Sequence, residues 1–239
     1  MPWSDTQLST LPRRGGFRLR GEAMTRIEVF SDAAFAFAVT MLVISLSAIP
    51  ETFAELILAI KGVPAFTASF AIIMVLWVSH RRWSRRFGLD DGISTFLTLA
   101  LILVILVYVY PLRIMMAVLF YSVSGGWLPA NFQISDTAEV AGLVALFSVG
   151  FGLVALIQFG LYLRASARAE ELRLDPLERV LVREEQVVWI TQAIIASCAA
   201  TAAIVFMGSW GYLAGILYSI TPVAIPLATL RLRRKRRAL

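Results

Sequence analysis

Arg26, Glu28, Ser31 and Asp32 crowd the head of an otherwise apolar stretch, TRIEVFSDAAFAFAVTMLVISLSAIP, residues 25–50. A guanidinium, two carboxylates and a hydroxyl in adjacent helical turns can form ion pairs and hydrogen bonds or hold a proton. A second polar group closes another apolar run, LWVSHRRW, where Trp77 stands one turn before His80, the chain's single histidine. Covalent chemistry is a poor match for these residues. Ser209 lies in MGSWG, which is not the G-x-S-x-G elbow of a hydrolase, and the topology below puts it across the membrane from His80. One histidine and one cysteine, Cys198, argue against a structural zinc site and exclude an internal disulfide. The polar residues are therefore read as structural, and the elements that place them follow from composition.

The 239 residues are 59% hydrophobic and 16% charged, well to the apolar side of soluble domains. Spanning a hydrocarbon core of about 30 Å takes roughly 20 apolar residues per helix. Apolar runs predict six spans, over residues 28–48, 63–80, 94–112, 140–163, 187–207 and 211–230. A short interfacial helix over FAELILAIKG precedes the second, and the third is expected to be irregular at its outer end, around Pro111 and Arg113. The fold class is an all-α integral membrane protein. Residues 1–23 read as a flexible basic arm without a cleavable leader, 24–230 as the six-helix membrane domain and 231–239 as a basic tail.

Charge placement sets the orientation. Twenty of the 22 Lys and Arg residues fall on one side, leaving only Lys61 and Arg113 for the other. The positive-inside rule puts both termini in the cytoplasm of a multi-pass cell-membrane protein. The net charge of +6 thus records topology rather than nucleic-acid binding, and membrane lipid is the expected surrounding. Between spans four and five, LDPLERVLVREEQ offers Asp175 as N-cap, Pro176 at the first helical position and Glu178 three residues after the cap. A helix from Pro176 to Met207 would reach about 48 Å, so its first turns should project into the cytoplasm.

In this topology the ends of spans one and two meet at one depth. Arg26, Ser31, Asp32, Trp77 and His80 are expected to form a hydrogen-bonded network between them. Further along span one, Phe37, Met41 and Ile44 share a face at i, i+4 and i+7, with Thr40 about 60° to one side of Phe37. By periodicity alone this stripe fits a lipid-facing or packed surface better than a pore wall. The directions of Arg26 and Phe30 are left open.

The run R-I-E-V-F-S-D followed by AAFAFAVTML resembles the signature of the transmembrane protein 175 family, endosomal and lysosomal potassium channels with prokaryotic relatives. That pattern is Arg, three residues, then Phe-Ser-Asp, which Arg26, Phe30, Ser31 and Asp32 match without gaps. Trp77 and His80 resemble the family's second-span pair, and the six-span layout agrees over roughly residues 24–230. The resemblance implies a passive potassium-permeable channel with no cofactor, whose partners are itself, as a homotetramer, and the permeant ion. It implies first spans around a central pore, a constriction at Phe37, further rings at Met41 and Ile44, and an influence on potassium preference at Thr40. It also implies that the charged motif supports packing around the pore. The constriction position is usually Ile or Leu, whereas this chain carries Phe37. Four phenylalanine rings there would block the axis or rotate aside to gate it.

Two other classes are carried. A secondary transporter usually shows repeats and a polar midplane site, whereas these midplanes are nearly free of ionisable groups. A non-conducting scaffold could use the tail RLRRKRR on anionic headgroups, although such a cluster also serves simply to hold the terminus inside.

Overall fold

In hydrocarbon each backbone N–H and C=O must find its partner within the protein, and a helix does this within one segment. The computed structural model of the chain describes residues 3–21, 23–44, 50–130, 132 and 134–238. Its long elements are α2 (Arg26–Ile44), α4 (Val63–Phe87), α5 (Gly92–Val123), α6 (Thr137–Ala167) and α7 (Pro176–Val205). The last span joins a 3₁₀ helix, Gly211–Ile220, to α8 (Thr221–Arg237). Six segments are long and apolar enough to cross a membrane, the second of them counting the short α3 (Phe53–Lys61) together with α4. The last residues expected in span one, 45–48, lie outside the described ones.

The most extensive helix contact is α6 on α7, and small residues make it possible. Ala193, Ala196, Ala200 and Ala203 recur along α7 at three- and four-residue intervals and are buried. A Cβ added at Gly152 of α6 would touch the Ala196 Cβ at 3.4 Å. Without a hydrophobic drive between helices in lipid, such close approach supplies the packing. α5 seals the other side of α6, with Tyr108 tilted against Phe147 at a ring separation of 5.6 Å. α2 then lies against α4 and α5.

Several boundaries correct the expectations. α4 continues past His80 to Phe87, so the HRRWSRRF cluster forms its final turns, where cations complement the helix dipole. Gly88 ends it at φ +57°, a left-handed cap that leaves room for Gly21 against it. α5 passes through Pro111 without a break, in place of the irregular end expected there. Tyr108, Val109, Pro111 and Leu112 are all buried, and this packing keeps the helix on course despite the missing N–H. Span six is not one regular helix: Pro222 opens α8 and cannot donate to the turn before it, which stays 3₁₀. The basic tail expected over 231–239 is largely the continuation of α8, where Arg233 and Arg236 bond Glu184 of α7 at 3.1 and 3.0 Å.

Of the basic arm over residues 1–23, expected to be flexible, the described part, residues 3–21, is instead folded and docked. It forms α1 (Asp5–Thr10) and a hairpin of β1 (Arg13–Arg14) and β2 (Phe17–Arg18). Gly15 and Gly16 turn the hairpin with φ of +60° and +83°, angles that glycine adopts without strain. Phe17 is fully buried against Phe87. Arg20, also buried, grips Glu178 through two bonds of 3.1 and 2.8 Å and donates from Nε to the Leu172 carbonyl. Glu178 in turn closes the Asp175 capping box of α7 as its sequence foretold. The arm, the end of α4, the α6–α7 turn and α8 thus gather at one basic end of the bundle. There Asp91 caps α5. Burial opposes its charge, but bonds from the Ser94 and Ile93 amides and Arg164 outweigh that and hold its carboxyl below the usual range.

Two substitutions test this account by thermal unfolding in detergent. Arg20→Met takes the nearest cation from the buried Glu178 carboxylate, leaving it Arg18 at 3.5 Å, and should cost about 3 kcal/mol, with Arg20→Met/Glu178→Gln recovering part of the loss. Gly150→Ala places a Cβ at 2.5 Å from Tyr108 Cδ2 and should cost about 1–3 kcal/mol. Gly142→Ala on the same helix meets nothing within 4 Å and should be neutral.

Candidate functional site

α2 has two unlike faces. Ser31, Phe35, Ala38 and Leu42 recur at helical spacing and are buried against α4 and α5. On the opposite side Phe30, Ala33, Phe37, Thr40 and Ile44 are exposed, Phe37 at 55% and Ile44 at 68%. The expected stripe is therefore divided. Phe37 and Ile44 stand on the open face, while Met41 is half-buried and packs against the core. Thr40 lies squarely on the open face, its hydroxyl donating to the Ala36 carbonyl at 3.0 Å. That bond satisfies the hydroxyl within its own helix, so the face carries no ionisable group beyond Arg26 at its foot.

The foot of α2 is held by polar bonds. The Trp77 indole donates to Asp32 Oδ1 at 2.8 Å, joining α4 to α2. Thr25 and Glu28 form a reciprocal cap, in which the Thr25 amide donates to Glu28 Oε2 at 2.7 Å and the Glu28 amide to Thr25 Oγ1 at 3.3 Å. Glu28 Oε1 also accepts from Ser84 Oγ of α4. Ser31 is buried, yet its hydroxyl turns back to the Glu28 carbonyl at 2.8 Å.

The network therefore differs from the one expected. Trp77 and Asp32 meet, but His80 faces α5, with Nε2 at 3.2 Å from Thr98 Oγ1. Arg26 is exposed, and its guanidinium makes no hydrogen bond or ion pair among the described residues. Phe30 is exposed beside it. Glu28, Ser84 and Thr98 complete the network and were not singled out as site residues. For Glu28 the sequence held a signal, T-x-x-E before an apolar run, whereas Ser84 and Thr98 join through tertiary packing that no local pattern announces. Further out, Arg113 of α5 donates to the Leu42 carbonyl at 3.1 Å. That explains an arginine in an apolar span: it serves one of the last carbonyls of the described α2. No group of three or more His, Cys, Asp or Glu residues suited to a metal occurs among the described residues.

These features define a multi-span helical membrane protein whose first span is braced on one face and open on the other. Residues 26–111 match the family described as endosomal/lysosomal potassium channel TMEM175. A potassium channel from Marivirga tractuosa is 46% identical over 97 residues, 41% of this chain and 39% of that protein. One from Chamaesiphon minutus is 38% identical over 64 residues, 24% of this chain and 32% of that protein. The matched segment thus spans well under half of either relative. The crystal structure of a variant of the potassium channel MtTMEM175, bound to a nanobody fusion, covers 94% of this chain and all of its own, with a TM-score of 0.81 at 27% identity. That of a TMEM175 homologue from Chamaesiphon minutus has a TM-score of 0.55 at 19% identity over 87% of this chain and 96% of its own, a likeness of fold. The similarity to that family thus lies in the segment from Arg26 to Pro111, and the likeness of fold to the solved channel structures extends along most of the chain.

The foot of α2 is open to test. Trp77→Phe removes the indole N–H and leaves Asp32 Oδ1 without its donor, which should lower unfolding stability by about 1–3 kcal/mol. Asp32→Asn keeps an acceptor for Trp77 and should lose less, as read by thermal unfolding of the two variants side by side.

Proposed function

We propose that the protein is a potassium-permeable cation channel, a homotetramer in which four α2 helices enclose a central pore. One observation carries this reading. In the segment that matches the TMEM175 family model, α2 leaves an apolar face uncovered by its own subunit. A lone helix cannot enclose a path, and closed rotational symmetry would bring four such faces to one axis. Phe37 then forms the constriction, with Ile44 above it on the same face and Met41 on the flank. Thr40, one turn along the open face, is the candidate for ion preference. Passage past bulky apolar rings is controlled by their position and by wetting, without a carbonyl-lined filter.

The basic end of the bundle faces the cytoplasm in this reading, with both termini there and the subunit crossing the cell membrane six times. The distribution of Lys and Arg supports that direction. The polar foot of α2 then lies at the inner mouth, where Arg26 and Phe30 ring the entrance and Ser31, Asp32, Trp77 and His80 brace the helix behind it. No cofactor takes part, and potassium is the permeant ion.

Potassium flux from proteoliposomes, with sodium as the paired ion, is the direct test. The protein should pass potassium down its gradient, and Phe37→Ala should widen the constriction. A barrier lower by roughly 1.4 kcal/mol would raise flux about tenfold, with weaker preference for potassium. Flux that is present but identical in the variant would remove Phe37 from the constriction. Absence of flux in both, from a folded oligomer, would favour a transporter or scaffold.

A further inference from the structure

Between the foot of α2 and the last turns of α4 lies a polar cavity of about 300 Å³, large enough to accept a small ligand group. Glu28 and Asp32 line it from α2, and Trp77, His80, Arg81 and Arg85 from α4. The four arginines of HRRWSRRF divide into two pairs spaced by four residues. Arg82 and Arg86 point to α7 and both bond Glu185 Oε1, at 3.2 and 3.1 Å. Arg81 and Arg85 line the cavity, and their guanidiniums have no ion pair or hydrogen bond among the described residues. Arg81 is held in place from one side, its guanidinium 5.1 Å from the centre of the Trp77 ring, and the same indole anchors Asp32.

The lining therefore holds two cations without an anionic partner and two carboxylates within one small volume. The acids do not quench the arginines because their oxygens are already directed elsewhere. Both Glu28 oxygens accept, from Ser84 Oγ and the Thr25 amide, and Asp32 Oδ1 accepts from Trp77. Asp32 Oδ2 takes no hydrogen bond among the described residues. A bare phosphate would suit the guanidiniums but meet two like charges, and a metal ion would meet the reverse. A ligand with a phosphate at one end and a hydrogen-bonding ammonium at the other satisfies both halves.

We propose that this cavity binds a phosphoethanolamine group, with its phosphate on Arg81 and Arg85 and its ammonium at Asp32 beside Glu28. The two guanidiniums supply parallel N–H donors suited to phosphate oxygens. The primary ammonium supplies the donor that Asp32 Oδ2 lacks. A choline group has no N–H and offers that oxygen no donor, and a glycerol headgroup carries no cation. The cavity sits where two spans end, so the group can come from a phospholipid headgroup or from the free phosphate ester. Bound there, it bridges α2 to α4 beside the Trp77–Asp32 bond. The site concerns binding alone and stands apart from conduction.

Lipid retention by the purified full chain, read by native mass spectrometry, tests the site. Phosphatidylethanolamine should be retained about tenfold more tightly than phosphatidylcholine or phosphatidylglycerol of the same acyl chains. Arg81→Gln/Arg85→Gln should abolish that preference. Arg82→Gln/Arg86→Gln, which removes equal charge from the same helix, should keep it. Soluble O-phosphoethanolamine that displaces the lipid would support the site as one for the free ester as well, and failure to displace it with the lipid preference intact would support the headgroup as the source. Equal retention of the three lipids would overturn the proposal. Retention of phosphatidylglycerol at or above phosphatidylethanolamine would also overturn it, because no ammonium would then be needed, as would an unchanged preference in the Arg81/Arg85 variant.

Discussion

The rotation of α2 about its own axis is the constraint on which the rest of the structure depends, and the Trp77–Asp32 bond sets it. A helix of this composition has no strong amphipathic signal to orient it, since both faces are apolar and lipid rewards neither. A carboxylate near a span end is different, because its burial without a donor is expensive. Asp32 can meet the Trp77 indole in only one rotation, and Glu28 meets Ser84 in the same one. With those two points fixed, helical spacing directs Phe35, Ala38 and Leu42 inward and Phe37, Thr40 and Ile44 outward. Arg113 adds a third point at the far end through the Leu42 carbonyl. The polar residues therefore decide which apolar residues of α2 are left exposed.

The scaffold that receives α2 is built on a different principle. α6 and α7 approach closely because alanine and glycine line their contact, and aromatic rings fill the spaces towards α5. At the basic end, charge takes over from shape. Arg20 reaches fully inside to Glu178, whose carboxylate also receives the Arg18 amide at 2.8 Å. Such a pair stabilises little compared with apolar groups of equal volume, yet it tolerates few alternatives once formed. Its place in the chain matters more: Arg20 lies six residues before the start of α2. Through Gly21 and Gly88 the connecting backbone passes directly against the end of α4. The arm thus fixes the entry of α2 at the point where the Glu28 and Asp32 bonds fix its rotation.

Much of this was legible in the residues, for identifiable reasons. Six spans follow from hydropathy because hydrocarbon admits few alternatives to a helix. The α7 start was readable because Asp175, Pro176 and Glu178 specify a cap locally. The Trp77–Asp32 contact followed from two polar groups at one depth on neighbouring antiparallel spans. What escaped was tertiary or depended on competing local rules. His80 turned to Thr98 because α5 presents a hydroxyl on its other flank. Arg26 remained outside the network since the helix rotation that buries Ser31 exposes it. The arm was read as flexible from its charge, although the Gly15-Gly16 pair is a hairpin signal and Phe17 offered an apolar anchor. Its arginines found acids that were far away in sequence, which composition alone does not reveal. Pro111 misled in the opposite direction, because neighbouring helices hold straight a segment that proline would bend in isolation.

The division of α2 also explains why Phe37 can occupy a position where a smaller aliphatic residue would be expected. Phe37 makes no core contact that limits its size, since its side chain leaves the face opposite Ala38 and Leu42. Its bulk is therefore free of the subunit's own packing and limited only by whatever lies across the open face. Ala33, one turn below it, and Ala36, next to it in the chain, are exposed and small and leave space beside the ring along the helix. An aromatic ring there has room to swing along the helix as well as to project from it, whereas a β-branched aliphatic is stiff at χ1. In the homotetramer proposed above, four rings lying along their helices and four rings projecting inward would be distinct arrangements of one backbone. On that proposal the same braced helix would support a blocked axis and an open one, with the polar foot unchanged in both.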